Sequence, residues 1–261
     1  MSDASGAQGE TALLVPFRGL VTRDELTRHA QELETRPAAD ILKWSAERFP
    51  GRVTFATGFG MEGCVLIDLI GRGSLPIDIF TLDTGLLFPE TYELWRRLEA
   101  RYGITIRAVR PEHSVEEQGR REGAALWTRD PDRCCELRKL GPQREAVAGF
   151  NAWISAIRRD QTPDRADAPV VGWDGRFGLL KVNPLVRWTT ADVRAHVEAF
   201  DVPVNPLHEQ GYPSIGCMPC TSQVAPGEDP RAGRWRGTSK NECGLHVIPL
   251  QPRDDGDPVR R

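Results

Sequence analysis

Between Arg52 and Ile157 the chain alternates short apolar runs with loops and helical stretches, and this rhythm limits the fold of the 261 residues more than any other feature. Arg52 to Ala56 reads as a strand, Thr57-Gly58-Phe59-Gly60 as a glycine loop and Glu62 to Ile70 as an apolar helix. Ile77 to Leu82 is the next strand and ends at Asp83-Thr84-Gly85. Pro89 then opens a helix with Tyr92, Trp95 and Leu98 on one face. Ile104 to Val109 and Asn151 to Ile157 read as the third and fourth strands. Strands separated by helices pair in parallel, and the crossover helices cover both faces of the sheet. The expected fold is α/β with a mostly parallel central sheet. Ligands of such sheets bind beyond the carboxyl ends of the strands, so the loops at 57–60, 83–88 and 158–162 share the candidate edge.

The flanking chain is simpler. Asp24 to Glu34 and Ala38 to Phe49 have helical periodicity, residues 1–19 read as a poorly ordered arm, and the residues from 248 to 261 as a frayed tail. Gln161 to Pro169 reads as a mobile loop, Val170 to Asp174 with Phe177 to Val182 as a hairpin, and Thr189 as a helix start. A formal net charge of -3 argues against nucleic acid or an anionic membrane as partner. Apolar runs such as Val65-Leu66-Ile67 are too short to span a bilayer. The start MSDASGAQGE lacks the basic and apolar regions of a secretory signal, so a cytoplasmic, reducing setting is expected. There, clustered cysteines are ligands or catalysts rather than disulfide staples.

Six cysteines are present. Cys64 falls among Val65, Leu66 and Ile67 and reads as a small core residue. Cys134-Cys135 opens a helical stretch from Glu136 to Val147, and Cys217 and Cys220 form a Cys-x-x-Cys turn. Four thiolates hold either zinc or an iron–sulfur cluster. Adjacent cysteines strain one tetrahedral ion, whereas a cubane offers each sulfur its own iron. Arg138 and Lys139 follow one helical turn later and can balance the negative charge of such a site. Cys243 stands apart in Glu242-Cys243-Gly244-Leu245-His246, after Arg231, Arg234, Arg236 and Lys240. Neighbouring cations raise the thiolate fraction of a cysteine, which makes Cys243 a candidate nucleophile toward an anion. The glycine loop presents backbone N–H groups and a helix N-terminus to phosphate, with Thr57 adding a hydroxyl. Arg158-Arg159 closes the fourth strand with guanidinium forks suited to phosphate or sulfate.

These residues together resemble the assimilatory adenylyl-sulfate (adenosine 5′-phosphosulfate, APS) reductases of the iron–sulfur type. The matching pieces run in order from Thr57-Gly58-Phe59-Gly60, Leu82-Asp83-Thr84-Gly85 and Pro89-Glu90-Thr91-Tyr92 to Cys134-Cys135-x-x-Arg138-Lys139 and Arg158-Arg159-Asp160-Gln161. Asn183-Pro184-Leu185, the segment from Gly211 to Cys220, Gly233-Arg234-Trp235 and Glu242-Cys243-Gly244-Leu245-His246 complete the series. The resemblance implies the adenine-nucleotide alpha hydrolase-like fold in a single domain: a core over 20–225, a mobile catalytic segment over 226–247 and the tail beyond. It implies a [4Fe-4S] cluster on Cys134, Cys135, Cys217 and Cys220. The nucleotide would contact Thr57, Gly58, Phe59, Gly60, Leu82 and Asp83, flanked by Arg158 and Arg159, with Lys139, Arg231, Arg234 and His246 toward the phosphosulfate. Cys243 would attack sulfur and form an S-sulfocysteine, from which thioredoxin or a similar dithiol releases sulfite. Such enzymes often form homo-oligomers. The alternatives are a reductase of the 3′-phosphorylated substrate (PAPS), a non-catalytic iron–sulfur or zinc module, and an adenylating enzyme, the last disfavoured because no Ser-Gly-Gly-x-Asp-Ser loop is present.

Overall fold

The computed structural model describes residues 21–240 and 242–245. The arm, the tail and His246 lie outside them. Six strands form one sheet: β1 (Val53–Thr57), β2 (Asp78–Leu82), β3 (Ile106–Val109), β4 (Ala152–Ile154), β5 (Val171–Asp174) and β6 (Leu179–Val182), in the order β3-β2-β1-β4-β6-β5. All neighbours are parallel except the β5–β6 hairpin, in which Trp173 faces Leu180. The helices are α1 (Arg23–Leu33), α2 (Ala38–Arg48), α3 (Met61–Arg72), α4 (Pro89–Tyr102), α5 (Val115–Glu122), α6 (Leu126–Arg129), α7 (Pro131–Cys135), α8 (Gly141–Val147) and α9 (Thr190–Phe200).

Side-chain alternation along the strands divides the core into two faces. Phe55, Ile79, Ile154 and Val182 point into a large cluster with Leu42 of α2, Leu66 of α3, Leu98 of α4 and Val193 of α9. Phe80, Trp153 and Leu179 point the other way, onto Ala146 and Val147 of α8. Each fully buried apolar side chain contributes about 1.5–3 kcal/mol. Helix starts follow local chemistry: the hydroxyls of Thr22, Ser114 and Thr189 each accept from the third residue of the helix they cap, and that residue's carboxylate bonds back. Pro89 opens α4, and Gly103 ends it in the left-handed conformation.

Three expectations change. The helix at the cysteine pair begins earlier, at Pro131, where the Asp130 side chain accepts from Arg133 N–H. It then widens into a π turn over Glu136–Leu140, in which the Gly141 N–H reaches back to the Glu136 carbonyl. Pro142 has no N–H to continue the α ladder to Arg138, so the wider register takes over. Finally, the stretch from Gln161 to Pro169, expected as a mobile loop, contains regular turns. Two 3-10 turns, Arg159–Gln161 and Pro163–Arg165, wind it and bury Arg165 to 5% exposure.

Candidate active site

The sheet order reverses between β1 and β4: the chain first builds outward through β2 and β3, then returns to the other side of β1. A crevice opens at such a point, beyond the carboxyl ends of the strands. A cavity of about 290 Å³ lies there, lined by Thr57 of β1, Leu82 of β2 and Ile157 after β4.

The glycine loop forms one wall. Thr57 Oγ1 accepts from Phe59 N–H at 3.1 Å, and Gly63 packs so close that a Cβ would lie 2.9 Å from that hydroxyl. Thr57, Gly58 and Gly60 line the cavity. Phe59 does not: it has φ 57, is 1% exposed and stacks on Trp95 at 5.6 Å, so its side chain anchors the loop from behind.

The turn after β2 is a hub. Leu82 and Thr84 line the cavity, but the Asp83 carboxylate is turned away. It accepts from Tyr92 Oη at 2.7 Å, Arg110 Nε at 3.0 Å and Gly85 N–H at 3.2 Å, which makes it a brace for the turn. Thr84 Oγ1 lies 3.3 Å from Cys217 Sγ, and Met218 N–H donates to the Leu86 carbonyl at 2.7 Å. From the other side Arg138, 3% exposed, donates through Nε to the Thr84 carbonyl at 2.6 Å and through Nη1 to Gln118 Oε1 at 2.9 Å. Gln118 Nε2 in turn approaches Cys134 Sγ at 3.8 Å. Arg138 thereby joins the cysteine helix to the Cys217 turn.

Cys134 and Cys135 end α7, while Cys217 precedes and Cys220 ends the 3-10 turn Met218–Cys220. Cys217 acts electrostatically on each of the other three thiols. Burial raises the pKa of Cys134, and pushes those of Cys135 and Cys220 up to about 11. Among the described residues, no three His, Cys, Asp or Glu side chains are arranged to hold a metal ion. Cys64 is fully buried in α3, where burial also raises its pKa.

Cations collect at the same end. Lys139, Arg231, Arg234 and Cys243 all line the cavity. Burial opposes the charge on Lys139, but Cys217, Cys243 and Cys135 outweigh it and raise its pKa. Burial lowers the pKa of Arg234, whose guanidinium stacks over Trp235 at 4.5 Å and donates to Ser214 Oγ and the Ile215 carbonyl at 3.3 Å each. Arg236 lies outside, paired with Glu228 at 3.1 Å.

The two adjacent arginines separate. Arg158 lines the cavity but is fully engaged, with Glu62 at 3.0 Å, Asp160 and Thr190. Arg159 does not reach the cavity; it forks onto the Glu34 carboxylate and donates to the Ala168 carbonyl at 2.8 Å, tying α1 to the sheet edge. Sequence reasoning missed Arg165, which lines the cavity and donates to Glu242 Oε1 at 2.6 Å. It also missed Glu62 and His208 in the lining. No helix among the described residues is long and apolar enough to cross a membrane.

The sequence matches the phosphoadenosine phosphosulfate reductase domain over residues 52–223. It is 44% identical to the adenosine 5′-phosphosulfate reductase of Mycolicibacterium smegmatis, across 86% of this chain and 94% of that one. Its identity to adenosine 5′-phosphosulfate reductase 1 of Bacillus subtilis is 47%, across 80% and 90%. The crystal structure of phosphoadenylyl-sulfate reductase from Candida auris superposes with a TM-score of 0.70 at 31% identity, covering 78% of this chain and 98% of that one. FMN adenylyltransferase from Candida glabrata, at 14% identity and a TM-score of 0.52 over 87% and 78%, shares the fold alone. On these matches and on the crevice built at β1 and β4, the chain belongs to the phosphoadenosine phosphosulfate reductase domain family.

Proposed function

We propose that this protein reduces adenosine 5′-phosphosulfate to sulfite and AMP in sulfate assimilation, with Cys243 as nucleophile. The observation that carries the reading is the placement of Cys243 in one cavity with Lys139, Arg231 and Arg234, at the switch point of the sheet. The names of the relatives at 44% and 47% identity supply the substrate.

The nucleotide lies between the glycine loop and the turn after β2, and its phosphosulfate points to the cationic end. The Cys243 thiolate attacks sulfur, the bond between sulfur and the bridging oxygen breaks, and AMP leaves with the electron pair. An S-sulfocysteine remains. Lys139, Arg231 and Arg234 offset the charge that gathers as an anion meets an anion, and they act without reorganising. A thiolate of thioredoxin, or of a similar dithiol, then attacks Cys243 Sγ, and sulfite leaves with the electron pair of the broken S–S bond. The second thiol resolves the mixed disulfide; two electrons pass from dithiol to substrate, and two protons are released. Cys243 has to become reachable for the partner.

Cys134, Cys135, Cys217 and Cys220 are not arranged around a single metal ion, but as thiols under the electrostatic influence of Cys217 they would hold a soft metal group. Three of these thiols are disfavoured as thiolates by burial, so the group has to bring positive charge with it. These four thiols would hold a [4Fe-4S] cluster rather than zinc, because adjacent cysteines strain a single tetrahedral ion. When bound, it would supply a fixed local charge, which Arg138 and Lys139 would balance. Cytoplasmic location follows from the reducing conditions these thiols need.

Sulfite release by anaerobically purified protein with thioredoxin, offered APS and PAPS in parallel, tests the reading. Strong preference for APS and loss of turnover in Cys243→Ser are expected. Preference for PAPS, the substrate named for the Candida auris structure, overturns the substrate. Turnover by the Cys243→Ser variant overturns the mechanism.

A further inference from the structure

Arg176 sits in the turn between β5 and β6, apart from the residues that line the cavity. The fully buried carboxylate of Asp174 aims it, accepting from Arg176 Nε at 3.1 Å, from Nη2 at 2.9 Å and from its backbone N–H at 3.2 Å. The same guanidinium reaches across to the catalytic segment. Its Nη1 donates to the Gly244 carbonyl, and its Nη2 to the Leu245 carbonyl at 2.9 Å. On the other side of Cys243, Glu242 accepts from Arg165 at 2.6 Å and from Arg231 at 3.2 Å. The peptide carrying Cys243 is therefore gripped at both neighbours. Gly244 makes the turn that presents its carbonyl: it has φ +87, a region that favours glycine, and a Cβ there would meet Leu140 at 3.2 Å.

We propose that Arg176 is a positioning residue for the reaction, fixing the closed position of the Cys243 peptide from outside the cavity, with Glu242 as its counterpart on the other side. The proposal rests on the reading of Cys243 as nucleophile. A planar guanidinium captures two successive carbonyls at once, which a single ammonium point charge does less well. Because the contact is to backbone, it fixes where the peptide lies and leaves the thiol side chain unencumbered. The grip is also releasable. Arg176 keeps 29% of its side chain exposed, so opening exchanges a few hydrogen bonds for water and leaves the core intact. Attack on sulfur needs the closed position, and the reductant needs the open one.

The test is the rate at which iodoacetamide alkylates Cys243 in the full, anaerobically purified chain without substrate, read by peptide mass spectrometry. In Arg176→Ala the rate is expected to rise about tenfold or more, as a charge-assisted pair of hydrogen bonds no longer holds the closed form. Turnover by the same variant is expected to show a fall in kcat with KM kept within about twofold, because substrate contacts are untouched. Arg176→Lys is expected to alkylate at an intermediate rate. Glu242→Gln is expected to raise the rate from the other side, and Arg176→Lys decides the matter if Arg176→Ala does not fold. Alkylation at the wild-type rate in the folded variant overturns the proposal. A protein that fails to make sulfite, yet shows the alkylation change, sinks the reductase reading and leaves the grip standing.

Discussion

Lys181 lies on β6 with its side chain 5% exposed, over the Trp153 ring at 4.9 Å, and its Nζ finds no hydrogen-bond partner among the described residues. Burial pushes the amine's pKa from 10.5 down to about 7, against a smaller opposing pull from Asp174; Arg176 and Arg165 push it further down, and Glu242 pulls up. The unfolded chain keeps the ordinary value, so between about pH 7 and 10.5 it binds the proton more tightly than the folded chain. Below that window both states are charged, and the fold carries the whole cost of the buried ammonium, on the order of 5 kcal/mol at about 1.4 kcal/mol per pH unit. Across the window the cost declines, and near pH 9 about 2 kcal/mol remains. Lys181→Met removes the amine and keeps the stem. Packing differences between the two side chains do not depend on pH, so the informative quantity is the change with pH in the stability difference. Urea unfolding followed by tryptophan fluorescence is expected to show Lys181→Met gaining about 3 kcal/mol more at about pH 6 than at about pH 9. A difference that stays flat over that range would refute the reasoning: the amine would then be solvated, or charged and paired, in the folded protein.

Two further outcomes follow from the same contacts. Lys139→Ala is expected to lower kcat/KM for sulfite release by about 10²–10³, the usual effect of deleting one preorganised charge partner, with the visible absorption of the anaerobically purified protein unchanged from wild type; loss of absorption that the wild type shows would make Lys139 a structural residue. Arg138→Ala leaves the Thr84 carbonyl and the Gln118 amide without their donor, and urea unfolding is expected to show a loss of about 2–4 kcal/mol; a loss below about 1 kcal/mol would mean that water replaces the guanidinium.

Much of the fold is legible in the sequence. The alternation that carries the sheet is a local signal, visible because Phe55 and Ile79 face one layer of helices while Phe80 and Trp153 face the other. Spacing alone marks the cysteine pairs and the cations that follow them, and the cavity does take in Cys217 and Lys139. What the sequence hid was direction. Arg158 has an extended backbone, φ -126 and ψ 149, and Arg159 begins a 3-10 turn, so the two adjacent guanidinium groups leave the chain on different sides. Phe59 fell in the glycine loop, where the left-handed backbone turns its ring into the core. Asp83 stood next to a cavity residue, but Tyr92 and Arg110 claim both of its oxygens. Arg165 and Arg176 carried only a weak local signal, since an arginine in a polar loop is ordinarily solvated; Asp174 two residues before Arg176 in a hairpin turn was the one available hint.

The order in which the ribosome releases the chain gives the cysteine arrangement a consequence in time. Cys134 and Cys135 emerge before β4, β5 and β6, whereas Cys217 and Cys220 emerge after the last strand has closed at Val182. A chain still under synthesis therefore holds half of its thiols, with the sheet already able to form around them. A group that needs all four sulfurs can be installed only after Cys220 has emerged, by which point β1 to β6 have all been made.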